Sequence, residues 1–326
     1  MKQILNELIE HRSFDKEKAR QVLVDLASGK FNPSQVSAFM TVYMMRGITV
    51  DELAGFRDAM LELCIPVKFD QPVMDLCGTG GDAKNTFNIS TLSSFVVAGA
   101  GQPVAKHGNY GVSSLSGSSN VMEYFGYKFT NDKDELKRCL DRANICFMHA
   151  PLFHPAMKNV APIRKELGVK TFFNMLGPMV NPAFPTIQLV GVFNLELARQ
   201  YGYLYQQTGK QFVVLHSVDG YDEISLTCPV KYFYNEGEAI LEPEEIQSRL
   251  EPNDLRGGDS MDESAKIFMN VLEGRGTIQQ NSVVIANAGM ALFCADQKSG
   301  LENGIAKAKE SLQSGKALGA FKKIVE

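Results

Sequence analysis

The stretch PVMDLCGTGGDAKNTFNISTLSSFVVAGAGQPVAKHG, residues 72–108, decides how this chain folds. It opens on a short apolar run, PVMDLC (72–77), of the kind that forms a buried strand. The run stops at Gly78, Gly80 and Gly81, with Asp82 beside them. STLSSFVVAGAG (90–101) then carries the apolar density and small residues of a buried helix. PVAKHG (103–108) reads as a second strand. Strand, glycine loop, helix and strand in that order predict a βαβ unit, hence parallel pairing.

Further strand-like runs follow at CFMHAP (146–151), QLVGVF (188–193), QFVVLH (211–216) and KYFYNE (231–236), with helical patterns between several of them. Upstream the texture is helical. Ile4, Leu5, Leu8 and Ile9 keep helical spacing, and Ser13 precedes a run to about Ala27 with Gly29 as its stop. Asn32-Pro33 predicts an N-cap followed by proline at the first helical position, in a helix that Gly47 ends. Thr49 and Glu52 have capping-box spacing, in a helix running to about Cys64. Met40, Met44 and Met45 suit adaptable core or interface packing. The expected architecture is α/β: a small all-helical N-terminal domain over residues 1–66, then an α/β domain over 67–326 with a mostly parallel central sheet. Part of HPAMKNVAPIRKELGVKTFFNMLGPMVNP (154–182) is expected to join the helical domain.

Of 326 residues, 44% are apolar and 21% charged, an ordinary globular composition. Lys+Arg 33 against Asp+Glu 37 gives a net charge of -4, which argues against general nucleic-acid binding. No segment has the apolar length of a membrane span, and the N-terminus lacks a signal-peptide core. Six cysteines, none in a CxxC, fit reduced thiols in a cytoplasmic protein.

The glycine loop is not a Walker A motif, and position 83, where GxGxxG needs glycine, is alanine. A tight turn alone would account for the glycines. Asn88-Ile89-Ser90-Thr91, at the start of the next helix, adds free N–H groups and hydroxyls that favour an anion. The same Ser and Thr also suit simple helix caps. A second loop, KHGNYGVSSLSGSSN (106–120), leaves the next parallel strand and brings Lys106, His107 and Asn109 to the same sheet edge. Together the two loops form a cradle of N–H, hydroxyl and ammonium donors for a phosphorylated ligand. Asp222-Glu223, in VDGYDEISLT (218–227), are either solvated surface acids or ligands for Mg²⁺.

GTGGD (78–82), TFNIST (86–91), VAKHGN (104–109), HPAM (154–157), APIRKELG (161–168), FNMLGPMVNP (173–182) and the acidic pair resemble, in order and spacing, the anthranilate phosphoribosyltransferases. These are tryptophan-biosynthesis enzymes that share their fold with the pyrimidine nucleoside phosphorylases. The resemblance runs from the N-terminal helices to SGKAL near the C-terminus. It implies attack of anthranilate's amine on C1 of phosphoribosyl pyrophosphate, with pyrophosphate leaving. It implies phosphoribosyl pyrophosphate contacts at Gly78, Gly81, Asp82, Thr86, Asn88, Ser90, Thr91, Lys106, Asn109, Ser113, Ser114 and Ser118. Anthranilate would meet Gly78, His107, Asn109 and Arg164, whose planar fork matches a carboxylate. Mg²⁺ would sit at Ser90, Asp222 and Glu223, and with Lys106 would stabilise the departing charge. No residue stands out as a general base, and an aryl amine held in position does not obviously require one. His154, beside Pro155, is read as structural. The family is commonly homodimeric through its helical domain, and no nucleic-acid or membrane partner is implied.

Two rivals remain: a pyrimidine nucleoside phosphorylase of the same fold, and a non-enzymatic nucleic-acid-binding relative. Arg164 together with the acidic pair favours the transferase. The chain departs from the family at Tyr110, usually arginine, and at Asn120, usually aspartate. The paired loss of charge predicts that Tyr110 and Asn120 keep a neutral contact.

Overall fold

The computed structural model describes residues 1–111 and 116–326. The chain divides into two compact units: Met1–Val67 with Ala150–Phe184, and Lys68–His149 with Pro185–Glu326.

The first unit is helical. Its N-terminal part is α1 (Lys2–Ile9), α2 (Lys16–Ala27), α3 (Pro33–Met45) and α4 (Val50–Glu62). Asn32 caps α3 in a reciprocal box with Gln35, with Pro33 at the start, and Thr49 and Glu52 form the same box at α4. Such caps contribute about 1 kcal/mol each. The cap of α2 is Asp15, accepting from the Lys18 N–H at 2.8 Å; a carboxylate at a helix start also gains from the dipole.

Glu52 does more than cap. Wholly buried, it accepts from the Phe14 N–H at 3.1 Å and the Tyr43 hydroxyl at 2.9 Å and pairs with Arg46. Burial pushes its carboxyl up, but Arg46 and the Thr49 and Phe14 N–H groups outweigh that and hold it below the usual range. Phe39, Tyr43 and Phe56 pack around Phe172 from the later segment, the Phe56 and Phe172 rings stacking at 4.7 Å. The Asn159 amide donates to the Ala27 carbonyl at 2.8 Å, and the Ile65 N–H to the Phe153 carbonyl at 2.8 Å. Met40 is core, whereas Met44 and Met45 are exposed.

The second unit is built on a seven-stranded sheet: β1 (Met74–Gly78), β2 (Val104–Gly108), β3 (Ile145–His149), β4 (Ile187–Gly191), β5 (Gln211–Ser217), β6 (Val230–Tyr234) and β7 (Gly237–Leu241). The spatial order is β3-β2-β1-β4-β5-β6-β7, with β1 to β5 parallel and the last two antiparallel. The sheet is therefore mostly parallel, and its inner strands read as continuous apolar runs because both faces are covered. Helix α5 (Ile89–Gly99) returns the chain from β1 to β2 and buries Leu92, Phe95, Val96 and Val97 completely. KYFYNE is strand only to Tyr234; Asn235 and Glu236 turn the chain into β7, which the sequence reading did not foresee.

After β3 the chain runs through residues 150–184 of the helical unit before re-entering the sheet at β4, on the other side of β1. That reversal makes the β1/β4 boundary a topological switch point, where open parallel sheets leave a crevice at the strands' C-terminal ends.

Candidate active site

The register pairs Gly78 with Gly191, the last residues of β1 and β4. Their glycine identity has a steric cause. A Cβ at Gly78 would stand 2.4 Å from Asp222 Oδ2, and one at Gly191 would stand 1.5 Å from the Asp222 carbonyl oxygen. The two strand ends are bare so that the acidic segment can cross them. Beyond β1 the chain curls through Gly80, Gly81 and Ala83, at φ +64°, +73° and +60°. The Gly80 N–H thereby donates to Asp222 Oδ2 at 2.6 Å. Glu223 reaches the start of α5, where its Oε1 accepts from the Ser90 N–H at 2.9 Å. Part of the donor set expected to meet a phosphate thus already serves protein carboxylates.

Asp82 accepts from the Lys84 N–H at 3.0 Å and lies against Asp222. Burial raises the Asp82 carboxyl despite Lys84. Burial first, then the charge of Asp82, raises Asp222. Glu223 is pushed up by burial, then by Asp222 and Asp82. Like charges crowded under burial favour either protonation or a bound cation. Among the described residues no group of three or more His, Cys, Asp and Glu is arranged as a metal site. The donors at hand are two carboxylates and the Ser90 hydroxyl, a hard, oxygen-only and incomplete set. Mg²⁺ suits it, because that ion fills its remaining positions with water and substrate phosphates. A small cleft lined by Gly78, Ser90, Gly191, Asp222, Glu223 and Asn287 offers about 20 Å³, room for a water-sized guest.

The second loop meets the first. The Asn88 amide donates to the Ser116 carbonyl at 2.8 Å and accepts from its hydroxyl at 3.0 Å. The Asn109 carbonyl accepts from the Ser118 hydroxyl at 3.2 Å and the Ser119 N–H at 3.2 Å. Thr86 bridges to Arg256, and Thr91 is buried on α5. Ser113 and Ser114 lie outside the described residues.

Lys106 differs from an ammonium turned toward a ligand. It is 2% exposed, and its Nζ donates to the Leu76 carbonyl on β1 at 2.6 Å. Its charge favours the ionised form of Glu223. His107 is buried on β2, and its N–H donates to Asp75 Oδ1 at 3.0 Å. In place of the expected contact, Tyr110 and Asn120 each bond to other partners. The Tyr110 hydroxyl donates to Glu123 at 2.7 Å, while Asn120 Oδ1 accepts the Gly111 and Gly117 N–H groups at 2.9 and 3.0 Å. Asn120 caps loop backbone, which a neutral amide does without a counter-charge.

Arg164 belongs to the helical unit, on helix Ala161–Leu167. Its guanidinium lies 5.2 Å from the centre of the Phe173 ring and 3.4 Å from Asn174 Oδ1. Among the described residues it has no carboxylate partner within ion-pair distance, and burial lowers its pKa. A half-desolvated, unneutralised fork is matched to a planar carboxylate ligand. Gly191 and Asn287 escaped the sequence reading. The signal for Asn287 was an asparagine inside the apolar run VVIANAGMALF (283–293), since buried amides need partners.

Two family models match: the glycosyl transferase family helical bundle domain over residues 2–64 and the glycosyl transferase family a/b domain over 70–318. The chain is 61% identical to the anthranilate phosphoribosyltransferase of Flavobacterium johnsoniae over 100% of this chain and 99% of that one. It is 52% identical to that of Bacteroides thetaiotaomicron over 100% and 99%. Among solved structures, anthranilate phosphoribosyltransferase from Thermus thermophilus superposes with a TM-score of 0.92 at 32% identity, covering 98% of each chain. The Saccharomyces cerevisiae enzyme in complex with PRPP and Mg superposes at 0.91 with 25% identity, over 98% of this chain and 95% of that one.

Proposed function

The chain belongs to the anthranilate phosphoribosyltransferases, and we propose that its glycine turn, the start of α5 and Asp222-Glu223 form the phosphoribosyl pyrophosphate end of the site. The enzyme transfers the phosphoribosyl group of phosphoribosyl pyrophosphate to the amine of anthranilate, giving phosphoribosyl-anthranilate and pyrophosphate in tryptophan biosynthesis, with Mg²⁺ as cofactor. The relatives matched along the whole chain carry the transferase name, so phosphorolysis of a nucleoside finds no support.

The observation that carries the site assignment is the double attachment of the acidic pair, Asp222 to the Gly80 N–H and Glu223 to the Ser90 N–H. It sets two carboxylates and the Ser90 hydroxyl around one cleft. Bound there, Mg²⁺ supplies positive charge to the leaving pyrophosphate. Gly78, Gly81 and Asp82 shape the turn under the diphosphate. Thr86, Asn88, Thr91, Asn109 and Ser118 are further phosphoribosyl pyrophosphate contacts in this reading, and Ser113 and Ser114, expected to join them, lie outside the described residues. Lys106 acts from beneath, tied to β1, its charge opposing the burial and the like charges that raise Glu223. Arg164 takes the anthranilate carboxylate, and Gly78, His107 and Asn109 are the other proposed anthranilate contacts. The chain's work is orientation and charge placement; the amine needs no strong base to attack an oxocarbenium-like C1.

Loss of anthranilate fluorescence in the presence of Mg²⁺ and phosphoribosyl pyrophosphate reports turnover. Glu223→Gln should lower kcat/KM for phosphoribosyl pyrophosphate by roughly 10²-fold, as for loss of one group stabilising transition-state charge. Arg164→Gln should mainly raise KM for anthranilate, by roughly tenfold or more. The reverse pattern would refute these assignments.

We further read the enzyme as a homodimer through its helical unit, supported by exposed Ile9, Met44 and Met45. We place it in the cytoplasm, where a charged phosphorylated donor is available and free thiols persist. No helix among the described residues is long and apolar enough to cross a membrane.

A further inference from the structure

Asn287 sits in the middle of helix Ile278–Ala295, is 4% exposed, and lines the cleft beside Asp222 and Glu223. Its amide is used on both ends. Oδ1 accepts from the Ile224 N–H at 2.9 Å, and Nδ2 donates to the Ile224 carbonyl and the Val283 carbonyl, each at 2.9 Å. The side chain thus imitates a neighbouring β-strand, presenting one acceptor and one donor to the same residue.

The Ile224 N–H belongs to the peptide unit that begins at the Glu223 carbonyl. That carbonyl accepts from the Ser217 hydroxyl at 2.6 Å. One peptide plane is therefore held at both ends, its C=O by the end of β5 and its N–H by the long helix. Fixing that plane fixes the backbone on one side of Glu223, and the Ser90 N–H fixes the carboxylate. A carboxylate on a free loop would swing, and the crowding of Asp82, Asp222 and Glu223 would drive them apart. The clamp opposes that repulsion before any cation arrives, which is preorganisation in the ordinary sense.

We propose that Asn287, with Ser217, is a positioning residue for the Mg²⁺ ligands Asp222 and Glu223; the proposal rests on the metal reading given above. With its amide committed to Ile224 and Val283, Asn287 acts through one peptide bond. Groups that orient metal ligands typically weaken metal affinity by 10- to 100-fold when removed.

The test uses the full chain and Mn²⁺ as a paramagnetic probe, titrated with phosphoribosyl pyrophosphate present and anthranilate withheld so that nothing turns over. Free Mn²⁺ is read by electron paramagnetic resonance, against a blank of phosphoribosyl pyrophosphate alone. Asn287→Ser should weaken protein-bound Mn²⁺ about tenfold or more and raise the Mg²⁺ concentration for half-maximal turnover by a similar factor. Ser217→Ala, a milder change should the first variant fold poorly, should shift both in the same direction. Asn235→Ser is the control. Its amide makes an equivalent clamp, from the Phe212 N–H to the Lys210 carbonyl, at the other end of β5. It should lower the melting temperature without moving Mn²⁺ affinity. Unchanged Mn²⁺ affinity in folded Asn287→Ser and Ser217→Ala overturns the proposal, provided Glu223→Gln weakens it. Unchanged affinity in Glu223→Gln as well overturns the metal reading itself.

Discussion

Ala83 stands in a left-handed conformation, φ +60°, separated by Asp82 from two glycines, Gly80 and Gly81, that adopt the same region. An alanine there costs roughly 1–2 kcal/mol that glycine avoids. Glycine also loosens the unfolded chain, which takes back roughly 0.4–1 kcal/mol. Ala83→Gly should therefore stabilise the fold by about 0.5–1 kcal/mol in urea unfolding; a loss of stability would mean the Ala83 methyl packs usefully. The sequence marked this position by its failure to match GxGxxG, yet only the structure gives the reason the turn strains. The same limit applies across the site. The residue types at 78–91, 106–109 and 222–223 declared a phosphate and metal chemistry. They did not declare that Lys106 would turn to the Leu76 carbonyl, or that Glu223 would take an N–H at the start of α5. Those are choices among neighbouring partners, made by strands far apart in sequence.

At the scale of elements, legibility followed local signals. Asn32-Pro33 and Thr49 with Glu52 stated their helix starts outright, because a cap is a contact between residues three apart. The βαβ unit was equally plain. β7 was not, since GEAIL (237–241) alternates exposed and half-buried residues and its glycine and glutamate are poor strand formers. The Tyr110–Glu123 bond was unreadable too, because it joins a loop to helix Ser118–Tyr124.

His154 shows how a later element depends on an earlier one. Its buried ring lies against the backbone of Met60 in α4 and of Val180, and burial lowers its pKa to about 4. The unfolded histidine titrates near 6.5. Between these values the unfolded chain binds more protons, so stability rises with pH through that window. It is fully present above about pH 6.5 and lost progressively toward about 4, on the order of 3 kcal/mol in all. His154→Gln should flatten the melting temperature between pH 4.5 and 7 relative to wild type; parallel curves would show that another group governs the acid limb.

For the whole molecule, the proposed dimer makes a direct claim on Met45, 84% exposed at the end of α3. Met45→Lys should shift the mass by light scattering from two chains toward one, and an unchanged mass would move the interface elsewhere. The central claim is narrower: one cleft at the β1/β4 switch point gathers the acidic pair, the glycine turn and the start of α5 around a metal-bound sugar diphosphate. Diffraction at the manganese absorption edge, from crystals grown with Mn²⁺ and phosphoribosyl pyrophosphate, measures this directly. The account predicts an anomalous peak within coordination distance of Asp222 or Glu223 and the Ser90 hydroxyl, with pyrophosphate density over residues 79–91. A peak on other residues, or diphosphate density away from that turn, would contradict it.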